Sequence, residues 1–167
     1  EISIPEPRLW WPWDHGEQPL YRLRASLMDG SEEADKSSVR FGVRTVEMKD
    51  WTLYVNGRRI FCRGSNYAPS DIRLSLALRG AYERDVDLMV GANLNMIRVH
   101  AHVEKREFYE VCDERGVLVW QDFPLQWQYS KEILKPAAEQ IADMARMLMS
   151  HPCVAVWCCH NEPFKIT

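Results

Sequence analysis

The sequence predicts an α/β fold built on a parallel sheet, entered through a short antiparallel β segment. Three observations predict it. Short, wholly apolar runs such as Val117-Leu-Val-Trp120 and Val154-Ala-Val-Trp157 suit strands buried on both faces. Between such runs lie segments with apolar residues at helical spacing. Before about Val46, apolar and polar residues instead alternate with the period of a half-buried antiparallel strand.

In the first segment Leu20–Leu27 and Ser38–Val46 alternate in this way, and Met28–Lys36 between them is polar and turn-like. Pro5, Pro7, Pro12 and Pro19 punctuate the lead-in. Two or three strands cannot bury a core alone, so residues 1–46 are expected to be the C-terminal part of a β-sandwich. Residues 47–167 are expected to form a second domain. It opens with Leu53-Tyr-Val and Arg-Arg-Ile-Phe-Cys around Asn56-Gly57, the pair favoured by a two-residue type I′ hairpin. Ile60–Cys62 is taken as the first strand of the parallel sheet. A helix over Ala81–Gly91 follows, with Tyr82, Val86, Met89 and Val90 on its inner face and Gly91 as its stop. Its acidic residues Glu83, Asp85 and Asp87 read as its solvated side. Next come a strand over Asn95–Val99, a helix over Glu104–Arg115 closed by Gly116, and the strand Val117–Trp120. A helix over Glu132–Ser150, with Ile141, Ala145, Leu148 and Met149 inward, leads to the last strand, 154–157.

Four strands and three intervening helices imply right-handed βαβ units. An eight-stranded barrel takes about 250 residues, and residues 47–167 are about half of that. A four-stranded doubly wound sheet fits the same count, although no Gly-x-Gly-x-x-Gly turn or phosphate loop supports a nucleotide-binding version.

Composition bounds the partners. With 46% apolar and 27% charged residues the chain is globular in class. A net charge of −3 with interspersed signs gives no basic stripe for nucleic acid. No window approaches the ~18 apolar residues of a membrane-crossing helix. Seven Trp and six Tyr suit either core packing or stacking on sugar rings. The five cysteines lack zinc-ligand spacing; they read as small buried hydrophobes, and no metal or other cofactor is expected. The absence of a signal peptide before Glu1 says nothing about export in a piece of a longer protein.

The chemistry concentrates after the last strand. Asn161 and Glu162 follow Trp157 closely, at the strand end where barrels of parallel strands hold their catalytic groups. A carboxylate there is a candidate general acid, and its amide neighbour could grip a hydroxyl; the alternative is a surface Glu in a turn before Pro163. Arg98, ending an apolar strand, is too costly to bury unpaired. Asp122, just past the third strand, is placed to line the same mouth or to cap a turn. Asn66 and His100, at strand ends, and Trp127 read as pocket-lining, whereas His102 reads as loop surface.

Six motifs then occur in an order that resembles glycoside hydrolase family 2: Phe41-Gly-Val-Arg-Thr-Val-Glu47, Val55-Asn-Gly…Arg63-Gly-Ser-Asn66, Asn95-Met-Ile-Arg-Val-His100, Cys112-Asp-Glu-Arg-Gly116, Trp120-Gln-Asp-Phe123 and His151-Pro…Asn161-Glu162. Gly64–Asp71 and Trp120–Phe123 look most like its β-mannosidase branch. The resemblance implies an immunoglobulin-like sandwich followed by the first half, about four β/α units, of a TIM (β/α)8 barrel. A jelly-roll sugar-binding domain would precede it and the second barrel half would follow it in the same protein.

It further implies a retaining exo-β-glycosidase acting on a carbohydrate substrate, with Glu162 as acid/base and a nucleophile on the seventh barrel strand, outside these residues. Burial of Glu162, or the nucleophile's charge, is expected to favour its protonated form. Asn161 would bond the sugar 2-hydroxyl, Arg98 would sit beneath the nucleophile, and Asp71 would contact the non-reducing-end sugar unless it caps a local turn. The chain departs from typical β-mannosidases in two places: His100-Ala-His-Val-Glu104 stands where they carry Trp-Gly-Gly, so the sugar is left open, and the Cys158-Cys159-His160 run before Asn161 is unusual for the best-known members. The competing reading is a non-catalytic carbohydrate-binding or structural module, which a chain without its nucleophile would also satisfy.

Overall fold

In the computed structural model, which describes residues 3–164, nine strands and three α-helices follow one another. Strands β1 (Tyr21–Asp29) and β2 (Glu32–Phe41) form an antiparallel ribbon, largely exposed along its length. Glu32–Lys36, expected within a turn, pair instead with β1, because Gly30 at φ 60° allows a tight reversal. Strands β3 (Val46–Lys49), β4 (Thr52–Val55) and β5 (Arg58–Ile60) form a second antiparallel sheet. Asn56 and Gly57 both have positive φ (49° and 74°) between β4 and β5, the type I′ geometry their identities predict.

The third sheet is parallel, in the order β6 (Gly64–Tyr67), β7 (Met96–Val99), β8 (Leu118–Asp122), β9 (Val154–Cys158). Helices α1 (Arg79–Gly91), α2 (Arg106–Arg115) and α3 (Leu134–Leu148) make the crossovers. The fold class read from the sequence stands: four β/α units of a barrel, preceded by antiparallel strands. The first unit was misplaced. Ile60 pairs with Leu53 in the hairpin, and the first parallel strand is β6. Neither segment has a long apolar run, so the hairpin's reach could not be judged from hydropathy.

The alternation of the strands divides the sheet into two faces. Ile97, Val99, Val119 and Gln121 are fully buried and, among them, Gln121 meets Tyr109 of α2. Asn66, Arg98, Trp120 and Val156 form one cross-strand row on the opposite, open face. β9 is not buried on both sides as its apolar run suggests, since Trp157 is 42% exposed at the sheet edge. In α3 the inner residues are Ala137, Met144 and Leu148, and Met149 points outward. Asp85 is no solvated helix residue: it accepts hydrogen bonds from Tyr67 Oη and Ser70 Oγ at 2.9 and 2.8 Å.

The lead-in is a strap rather than a linker. Trp10 is fully buried and donates Nε1–H to Asp113 O, while Trp13 donates to Leu94 O. Arg44 donates to the carbonyls of Pro152 and Val154 before β9 and within it. Gly116 closes α2 in the left-handed conformation (φ 69°), and a Cβ there would stand 2.6 Å from Trp13 N. Gly116→Ala is therefore expected to destabilise by more than the about 1–2 kcal/mol of left-handed strain alone. A shift of the urea midpoint, at unchanged slope, measures it. Gly91 lies within α1, whose end is instead taken by Asn93 at φ 62°.

Candidate active site

Three strand ends converge on one rim of the open face. Arg98 on β7 donates Nε–H to both carboxylate oxygens of Asp122 on β8, at 3.1 and 3.2 Å, and its Nη2 lies 2.9 Å from Asp122 Oδ2. The same Nη2 donates to Asn161 Oδ1 at 2.6 Å, beyond β9. Asp122 is fully buried and also accepts the backbone N–H of Ala101 at 3.2 Å. His100 Nδ1 stands 3.3 Å from Asp122 Oδ2, close enough for a charge contact but not aligned for a hydrogen bond. The arginine anticipated as too costly to bury alone is thus paired across the sheet. Its hydrogen bonds to Asp122 keep the guanidinium firmly charged against partial burial, with the charges of Asp122 and Glu162 adding to the effect.

Asn161 is 2% exposed and anchored through its backbone: N–H donates to Leu125 O, and its O accepts from Trp127 N. Because Arg98 can only donate, the Asn161 amide oxygen faces it and the NH2 end is turned elsewhere. Glu162 follows on the same rim. Its Oε2 accepts a hydrogen bond from Trp127 Nε1 at 3.2 Å, and its side chain is exposed among the described residues. The burial anticipated for it is therefore not present among the described residues. Ala101, Trp127 and Glu162 all have positive φ (56°, 59° and 48°). For non-glycine residues such backbone costs about 1–3 kcal/mol each, and it tends to persist where the geometry of a site requires it.

The other anticipated residues are spread out. Asn66 sits on β6 in register with Arg98, exposed on the open face. Trp120 is in register with Arg98 on β8, with the Arg98 guanidinium 5.3 Å from its ring centre. Asp71 accepts the backbone N–H of Arg73 at 2.8 Å in a local turn, with no contact to the rim residues among those described. His102, read as loop surface, is buried: its Nδ1 meets His100 O at 3.0 Å and its Nε2 meets Glu104 Oε1 at 3.2 Å. Burial disfavours the Glu104 charge, but hydrogen bonds from His102 and Tyr82, and the charge of His102, outweigh it and hold the carboxyl below its ordinary range. Glu104, Tyr109 and Gln121 were not anticipated, and Tyr82, read as facing inward on α1, was not anticipated as a partner of Glu104. The polar Gln121 facing the helices, out of step with its apolar alternates, was the available signal.

The model for "Glycosyl hydrolases family 2, TIM barrel domain" matches residues 46–167, and that for "Glycosyl hydrolases family 2" matches residues 1–44. The chain belongs to glycosyl hydrolase family 2. Among its family 2 relatives, beta-mannosidase B of Neosartorya fischeri is 35% identical over 99% of this chain and 21% of its own length. The enzyme of the same name from Thermothelomyces thermophilus is 33% identical over 97% of the chain and 21% of its own length. The crystal structure of beta-D-mannosidase from Dictyoglomus thermophilum superposes with a TM-score of 0.87 at 32% identity, over 96% of this chain and 22% of that one. The Parabacteroides merdae beta-glucuronidase shares the fold at a TM-score of 0.79 and 24% identity, over 98% of this chain and 22% of that one. The chain thus spans about a fifth of the length of its curated relatives.

Proposed function

We infer that this chain is part of a retaining exo-β-glycosidase with mannosidase-like specificity, in which Glu162 is the general acid/base. Residues 1–46 would close its sandwich domain and residues 47–167 open its catalytic domain. The observation that carries the reading is the continuous rim from Asp122 through Arg98 to Asn161 and Glu162, at the C-terminal ends of three adjacent parallel strands. The family membership and the likeness to beta-mannosidases support it.

The chemistry follows from these positions. Glu162, protonated, donates to the glycosidic oxygen as the aglycone leaves. A second carboxylate, from polypeptide beyond this chain and ~5–5.5 Å away, attacks the anomeric carbon. Glu162, then ionised, takes a proton from the water that hydrolyses the glycosyl-enzyme. The Asn161 NH2 is the donor for the sugar 2-hydroxyl, a bond that strengthens as positive charge develops on the ring. Arg98 has Nε and Nη2 committed to Asp122 and Asn161, which leaves its Nη1 side for the nucleophile. Asn66, His100 and Trp127 line the sugar subsite, and Asp71 contacts the terminal sugar.

A panel of aryl β-glycosides (manno, gluco, galacto, glucosamino, glucurono) tests the reading on the full-length protein. Turnover is expected, with the manno substrate preferred, and none from the purified 167-residue chain alone. Full-length protein inert on the whole panel would favour a carbohydrate-binding module instead.

A further inference from the structure

Behind the rim lies a buried polar cluster to which the chemistry above gives no role. Tyr82 of α1 donates its hydroxyl to Glu104 Oε2 at 2.8 Å, and Glu104 Oε1 meets His102 Nε2. Glu104 N–H donates to Tyr109 Oη at 3.2 Å, and that hydroxyl donates to Gln121 Oε1 at 2.7 Å. Gln121 Nε2 returns to His102 O at 2.8 Å and to Asp122 O at 2.6 Å. Tyr82, Tyr109 and Gln121 are fully buried, Glu104 is 4% exposed and His102 9%. A buried network of this kind fixes one arrangement when every member is satisfied.

What it fixes is the turn after β7. A carbonyl oxygen can only accept, so the His100 O contact puts a proton on His102 Nδ1, and a second proton lies between Nε2 and Glu104. The imidazole therefore ties His100 O from below while Gln121 ties His102 O. Between these two anchors Ala101 is held at φ 56°, with its N–H aimed at Asp122. Released from either anchor, Ala101 would relax toward an ordinary conformation. Its N–H would then leave the carboxylate, and His100 would swing from the rim.

We propose that His102, clamped between His100 O and Glu104, is a positioning residue that holds His100 and the Ala101 N–H in register with Asp122 at the substrate rim. The consequence for catalysis rests on the glycosidase reading; the consequence for the backbone does not. In the full-length protein His102→Ala is expected to lower kcat/KM on an aryl β-glycoside by about 10- to 100-fold, the effect of misplacing a substrate contact. His102→Asn, whose amide NH2 can occupy the Nδ1 position, is expected to recover activity to within about threefold. Both variants are assayed well below their melting midpoints.

Two results would overturn the proposal: kcat/KM of folded His102→Ala equal to wild type, or His102→Asn no better than His102→Ala. Should the wild-type protein hydrolyse no glycoside, that reading fails by itself and crystal structures decide the positioning role. In His102→Ala the Ala101 N–Asp122 contact is expected to open and φ of Ala101 to turn negative, with His102→Asn retaining both. An unchanged turn in His102→Ala sinks the inference.

Discussion

On the proposed acid/base role, Glu162→Ala in the full-length protein is expected to slow turnover of glycosides with poor leaving groups by about 10²–10⁴-fold, the usual contribution of general acid–base catalysis. Substrates with activated aryl leaving groups lose less in the first step, because they depart without a proton. External azide, which attacks the glycosyl-enzyme without base assistance, is expected to restore turnover and to yield a glycosyl azide of retained configuration. Stability hardly moves. The Glu162 side chain is exposed and its one recorded side-chain bond, to Trp127 Nε1, is between exposed groups, where substitutions stay within about 0.5 kcal/mol. Loss of activity at an unchanged melting temperature separates a chemical role from a structural one. Wild-type rates on an unactivated substrate would remove Glu162 from the mechanism.

Asp122→Ala gives the largest expected loss of stability at the rim. Asp122 is fully buried, and removing it strips Arg98 of its principal partner and Ala101 N–H of its acceptor. Breaking a buried ion pair from one side costs about 3–5 kcal/mol. The Arg98 side chain keeps 27% exposure, so water can reach it and the lower end applies. The urea midpoint reports the change. Asp122→Asn, which keeps an acceptor oxygen for Arg98, is expected to lose less. In the Arg98→Ala/Asp122→Ala double variant the two losses do not add, since the charge left unpaired by one is deleted by the other. Additive losses, or an Asp122→Ala midpoint equal to wild type, contradict the pairing.

The parts of this fold legible in the sequence are those governed by local periodicity and turn chemistry. The Asn56-Gly57 hairpin is one. The left-handed Gly116 after α2 is another, and so are the apolar strands β8 and β9. The placement of Asn161 and Glu162 just past β9 was equally legible, because a strand's end is a local property. The start of the barrel was not, since β6 (Gly-Ser-Asn-Tyr) carries no apolar run and is a strand only because β7 pairs with it. His102 and Asp85 look like surface residues in one dimension, and only their partners Glu104, Tyr67 and Ser70 make them interior ones.

The strap formed by Trp10, Trp13 and Arg44 was illegible for the same reason. Its partners lie 81 to 110 residues away, at Leu94, Asp113, Pro152 and Val154. The sequence by itself determined the class of fold, the family and the identity of the residues at the strand ends. Tertiary structure alone decided which of them meet: Arg98 with Asp122 and Asn161, and the His102–Glu104 cluster behind them. Periodicity is written in neighbours three or four residues apart, whereas the pairing of buried charges depends on desolvation that exists only once distant strands have closed over them.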